Sequence, residues 1–217
     1  MRLKNSLIFF PALIAALAFA SIGYSAESEV LKKFLEAHDS SDPLKTAAVI
    51  EENKASIPAE VKALLDEAAL PSTTPEKRDE TLYIAEMMAK AYKDATGDIQ
   101  PIKEVKKVVF NSKLSSPAHP APVEGVYIIE MPEASDAAKN LFRPDNLVIK
   151  KGATVRWMNK DKVTHVFATM PLIGMTGMRS PNLEPGQSWE YKFEKPGEYY
   201  YLCFIHQGMV GKVTVEE

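Results

Sequence analysis

Cysteine is all but absent: the 217 residues contain one, Cys203. An intrachain disulfide, a CxxC redox pair and a four-cysteine zinc site are therefore excluded. Histidine is scarce as well, with four residues. Charge of one sign does not accumulate either. Twenty-six Lys and Arg against 29 Asp and Glu leave a net charge of −3, which excludes a broad electrostatic footprint for nucleic acid. Long apolar runs are missing except near the N-terminus. With 46% hydrophobic and 25% charged residues, the chain is neither a polytopic membrane protein nor a disordered one.

The one apolar run, Leu7 to Ala20 with Pro11 inside it, follows Arg2 and Lys4. Ala18-Phe19-Ala20 and Gly23-Tyr24-Ser25 are two candidate cleavage sites. A basic start, a short apolar run and a small-residue exit read as a signal peptide over residues 1–25. The competing reading is an uncleaved anchor, but the run is short of the roughly 20 apolar residues of a membrane span. No cysteine lies nearby to carry a lipid. The expectation is an exported protein, periplasmic or otherwise extracytoplasmic, with no stable membrane span after cleavage. In such a compartment a lone cysteine is a reactive thiol, half of an intermolecular disulfide, or a metal ligand.

Periodicity divides the rest of the chain. Residues 26–112 read as a small helical bundle of unknown role. Val30, Leu31, Phe34 and Leu35 recur at helical spacing, and Ser41-Asp42-Pro43 restarts the chain before Leu44, Ala47, Ala48 and Ile50. Pro58 opens a segment carrying Val61, Leu64, Leu65 and Ala68. Thr74 caps the next, with Pro75 at its first position, a stripe of Leu82, Ala85, Met88, Ala89 and Tyr92, and Gly97 at its end. Ile102 to Phe110 adds a last helix. Residues 113–123, rich in Ser and Pro, read as a linker. From 124 to 217 the period changes from 3.6 to 2: Val155 and Trp157 oppose Arg156 and Met158, and Tyr199, Tyr201 and Cys203 share a face. Turn residues at Lys151-Gly152, Glu184-Pro185-Gly186 and Lys195-Pro196-Gly197 separate the runs, which predicts an antiparallel sandwich or barrel. The fold class is α+β in segregated domains.

Chemistry concentrates in Cys203-Phe204-Ile205-His206-Gln207-Gly208-Met209, at the turn between two strands. Upstream, His165 ends the stretch Asn159-Lys160-Asp161-Lys162-Val163-Thr164. Singly, each donor is ordinary: a buried thiol, a surface imidazole, a core thioether. Jointly, two His, one Cys and one Met form the donor set of a blue-copper site, three strong ligands with a long axial thioether. Convergence requires the His165 imidazole to lie within about 6 Å of the Cys203 sulfur.

Over residues 125–217 the sequence resembles the cupredoxin family, especially its plastocyanin and amicyanin branches. The resemblance rests on Phe142-Arg143-Pro144-Asp145, on Lys151-Gly152-Ala153-Thr154-Val155-Arg156-Trp157 and on Asn159-x-Asp161-x3-His165. It continues through Phe193-Glu194-Lys195-Pro196-Gly197-Glu198-Tyr199 into Tyr201-x-Cys203-x2-His206-x2-Met209-x-Gly211, whose short ligand loop is amicyanin-like. It implies an eight-stranded Greek-key sandwich holding one copper ion. His165, Cys203 and His206 would be equatorial, Met209 axial, and Tyr201 packed near the site. His206 would be the electron port, its ring edge emerging through an apolar patch. The chain departs from many relatives at Val166, where they carry an Asn that ties the ligand loops together; its backbone N–H can still point at the thiolate.

The resulting expectation is an exported electron carrier that exchanges electrons with redox protein partners, such as a c-type cytochrome or an oxidoreductase. The alternative is a copper-handling protein for delivery, storage or resistance. It rests on the stretch from Met170 to Met178, where Met170, Met175 and Met178 could form a docking patch, a weak Cu(I) site or ordinary loop packing over the end of the sandwich. No enzyme is expected: Leu202 and Phe204 flank Cys203 where multicopper enzymes place further histidines. His38 and His119 match no motif and read as surface residues.

Overall fold

A computed structural model describes residues 28–133 and 142–217. The expected signal peptide and its cleavage sites lie outside the described residues. The chain separates into two compact units, dividing between Ile102 and Lys103.

Four helices make up the described part of the first unit: α1 (Glu29–Asp39), α2 (Pro43–Asn53), α3 (Ile57–Ala69) and α4 (Pro75–Thr96). Their ends follow the local chemistry. The Ser28 hydroxyl accepts from the Leu31 N–H, the Asp42 carboxylate from Leu44 and the Thr74 hydroxyl from Lys77, each satisfying an N–H that lacks an intrahelical partner. Gly97 closes α4 in the left-handed conformation, φ 78°, that a Cβ disfavours. The predicted stripes of α3 and α4 are buried, together with Phe34, Leu35 and Ile50. In α2 the expectation fails: Leu44 is 80% exposed and Ala47 and Ala48 are exposed, so Ile50 alone is buried. Leu44 sits in the first turn, beside the cap, where helical spacing carries no information about which neighbours are present.

Helix α5 (Gln100–Asn111) crosses the division. Among its described residues the second unit contains seven strands: β1 (Val126–Pro132), β2 (Asn146–Lys150), β3 (Thr154–Lys160), β4 (Phe167–Thr169), β5 (Ser188–Lys192), β6 (Gly197–Cys203) and β7 (Val210–Glu216). They form a three-stranded sheet, β1-β3-β5, and a four-stranded sheet, β2-β7-β6-β4. The sheets are mixed rather than antiparallel. β1 runs parallel to β3 and β2 parallel to β7, while β3–β5, β4–β6 and β6–β7 are antiparallel. Period-2 alternation is the same in both directions, so it reports which face is buried and not which way a neighbour runs.

Between the sheets lie Ile129, Met131, Val155, Trp157, Phe167, Tyr199, Tyr201, Cys203, Val213 and Val215, in the alternation expected. Trp157 is fully buried and its indole N–H donates to the Tyr201 hydroxyl over 3.4 Å. Tyr200 and Leu202, alternating with that set on β6, turn to the other face. There they join Phe110 of α5, Leu114, Met170, Ile173 and Val210 in a second cluster. Phe110 meets the Tyr200 ring edge-on at 5.2 Å. The Ser/Pro-rich stretch runs along β2: Ala118 exchanges backbone hydrogen bonds with Asn146 and Val148, and Ser115 donates to the Asp145 carboxylate.

Candidate metal centre

The β4–β6 pairing sets Phe167 opposite Cys203, the last residue of β6. His165 precedes Phe167 by two residues and therefore projects to the same face. Its position is held by paired backbone bonds with Leu183, His165 N–H to Leu183 carbonyl at 3.0 Å and the reverse at 2.8 Å. Thiol and imidazole thus meet at one end of the sandwich, 38 residues apart in sequence.

The second ligand loop closes on itself. Cys203 N–H donates to the Met209 carbonyl at 3.0 Å, and Met209 N–H to the His206 carbonyl at 3.2 Å. Gly208, at φ 84°, supplies the left-handed residue this turn needs. Cys203 Sγ lies 3.8 Å from His165 Nδ1 and 3.5 Å from His206 Nδ1, well inside the limit set from sequence. The three donor atoms all fall within 4.8 Å of one another. Two ligands at ordinary N and S bond lengths to one transition-metal ion, about 120° apart, would sit about 3.8 Å from each other. The residues fit such an ion. Met209 is buried in the same core cluster as Cys203.

Burial by itself pushes the Cys203 thiol up. Hydrogen bonding with His165 and the backbone N–H groups of Ile205, Val166 and His206 overrides this and brings it down to about 6, which favours the thiolate that binds metal. The Val166 amide therefore does what its position promised. The loops are tied a second way: Phe204 N–H donates to the Val166 carbonyl at 2.9 Å. Backbone bonds in both directions thus tie the two loops together at Val166.

The two histidines differ. His165 is wholly buried, and its Nε2 meets the buried carboxylate of Asp161 at 3.2 Å. Burial lowers its pKa, but its bonds to Cys203 and Asp161 outweigh this and leave it raised. His206 is half-buried beside Phe204 and Ile205, which are 62% and 52% exposed. The ring centroids of the pair are 4.5 Å apart.

Three other sequence readings divide. Tyr201 packs under the site as expected. Met170, Met175 and Met178 do not gather: Met178 is buried between the sheets, Met175 packs against that core, and Met170 lies in the cluster around Tyr200. His38 and His119 are exposed, His38 stacking on Phe34. Sequence reasoning missed the roles of Asp161 and Asn159, although it quoted both. The usable signal was two short polar residues four and six positions ahead of a histidine ligand, whose free ring nitrogen needs an acceptor.

Comparison with known proteins agrees with this geometry. Residues 129–216 match the model for copper binding proteins of the plastocyanin/azurin family. Amicyanin of Paracoccus denitrificans is 33% identical over 82 residues, 37% of this chain and 63% of that protein, so the chain spans somewhat less than two thirds of that relative. Plastocyanin of Scenedesmus fuscus is 33% identical over 91 residues, 38% of this chain and 93% of that protein. Among solved structures, a purple cupredoxin from Nitrosopumilus maritimus aligns with 34% identity and a TM-score of 0.38, covering 42% of this chain and 99% of the other. Through its C-terminal β unit, the chain belongs to the plastocyanin/azurin family of copper binding proteins.

Proposed function

We propose that this protein is an exported, single-copper electron carrier that exchanges electrons with redox protein partners such as a c-type cytochrome or an oxidoreductase. One observation carries the reading: a thiolate and two imidazoles converge within 4.8 Å, one imidazole buried and the other at the surface among apolar side chains. Copper held by such donors supplies a one-electron Cu(I)/Cu(II) couple.

The chain's own part is to hold its donors still. The paired bonds at His165, the closed 203–209 loop and the backbone ties through Val166 keep them in place without the ion's help, so little rearrangement accompanies a change of oxidation state. Met209, buried in the same cluster as Cys203, would complete the set as a weak thioether donor. His206 is the port, with Phe204 and Ile205 offering a partner an apolar surface that excludes water. Residues 124–217 carry this role, preceded by a helical segment whose last helix, α5, packs its Phe110 against the β unit. The basic and apolar N-terminal residues support export, and no helix among the described residues is long and apolar enough to cross a membrane. Leu202 and Phe204 on either side of Cys203 favour a carrier over a multicopper enzyme.

The test is to add Cu(II) to the purified protein and titrate it electrochemically. An intense blue colour that bleaches and returns reversibly is expected. Absence of that colour, or ready loss of Cu(I) to a competing chelator on reduction, would overturn the carrier reading.

A further inference from the structure

Asp161 has no place in the ligand set, yet it is 5% exposed and its carboxylate faces a metal ligand. The loop around it is built to keep it there. The Asn159 side chain accepts from the Asp161 N–H at 2.9 Å. It also donates to the carbonyls of Val163 and Leu183, both at 2.8 Å. Asp161 then divides its two oxygens: Oδ1 accepts from the Lys162 N–H at 2.7 Å, and Oδ2 meets His165 Nε2 at 3.2 Å. The opposite ring nitrogen, Nδ1, is the one that faces Cys203.

We propose that Asp161 is a positioning residue that selects the His165 tautomer and biases the copper centre toward its oxidised state. The inference rests on the carrier reading and deepens it. A carboxylate is only an acceptor, so it holds the proton on Nε2 and leaves the Nδ1 lone pair free for metal. Its negative charge sits in a water-poor setting, where charge interactions are weakly screened. It favours the ion of higher positive charge, and so lowers the reduction potential. The carboxylate stands behind His165, while His206 is half-buried, so this bias comes from the His165 side of the site. Asn is nearly isosteric with Asp but carries no charge and offers one acceptor where Asp161 uses two, so Asp161→Asn removes the charge and one of these hydrogen bonds together.

The experiment compares copper-loaded wild-type protein with Asp161→Asn. The expected result is a variant that stays blue, with a higher midpoint potential and a tenfold to hundredfold loss of Cu(II) affinity that exceeds its loss of Cu(I) affinity. A blue wild type with an unchanged potential in the variant overturns the proposal while leaving the carrier reading standing. A wild type that is not blue overturns the carrier reading instead. Should the variant fail to fold, nitrogen-15 NMR of copper-free wild-type protein decides the matter. A slowly exchanging proton on His165 Nε2 supports the proposal; an Nε2 that carries no proton overturns it.

Discussion

The two loops that supply the site are made differently. The 159–165 loop delivers one ligand from a polar, buried scaffold in which Asn159 and Asp161 are both nearly inaccessible. The 203–209 loop delivers Cys203 and His206 from an exposed turn that includes the large apolar side chains of Phe204 and Ile205. Burying polar groups is tolerated only when each finds a partner, which makes the first loop rigid and specific. Exposing large apolar groups is unfavourable for an isolated monomer and useful where a partner will cover them. One loop anchors, the other meets the outside.

The largest effect expected from breaking this arrangement is at the shared thiolate. Cys203→Ser should abolish the intense blue absorption even if copper still binds, as visible spectroscopy of the copper-loaded variant would reveal; surviving colour would remove Cys203 from the ligand set. Next come the two histidines taken as a pair. His206→Gly should regain its colour when external imidazole is added, because that ring reaches the surface, whereas His165→Gly should not, because no imidazole can enter from solvent. Equal rescue of both would erase the contrast between the loops.

A smaller effect is expected on the apolar surface. Phe204→Ser should leave spectrum and potential unchanged but slow the bimolecular reaction with a redox partner about tenfold, the size of one moderate interface contact; stopped-flow mixing measures it. Smallest in consequence, Met209→Leu should keep the blue colour and raise the midpoint potential, since a weak donor that stabilises Cu(II) is lost. Voltammetry that finds no shift would take Met209 out of the axial position.

Much of this site can be read from the linear chain, for physical reasons. Cys203, His206 and Met209 are bound into one tight turn, so their proximity is a local property of seven residues. The alternation of Val155 with Trp157 and of Tyr199 with Tyr201 named the faces that became the core. The capping residues Asp42 and Thr74 and the closing Gly97 act on neighbours a few positions away, and they marked helix ends correctly. Leu44 was misleading because an apolar side chain records a tendency to be covered, not what covers it, and for the same reason the sequence left several readings open for the three methionines. Met170 and Met178 went to opposite faces of one sheet.

The chain alone therefore determined the donor types, the period of each segment and the turn that groups three of the donors, since these depend on covalent neighbours. Tertiary structure decided the rest: that two strand pairs run parallel, that β4 sets His165 against Cys203, and that α5 lends Phe110 to the outer face of the β6 sheet. It also decided that a buried carboxylate stands behind His165. Strand direction, pairing and the environment of a buried charge all arise from contacts between residues far apart in the chain, and periodicity carries no record of them.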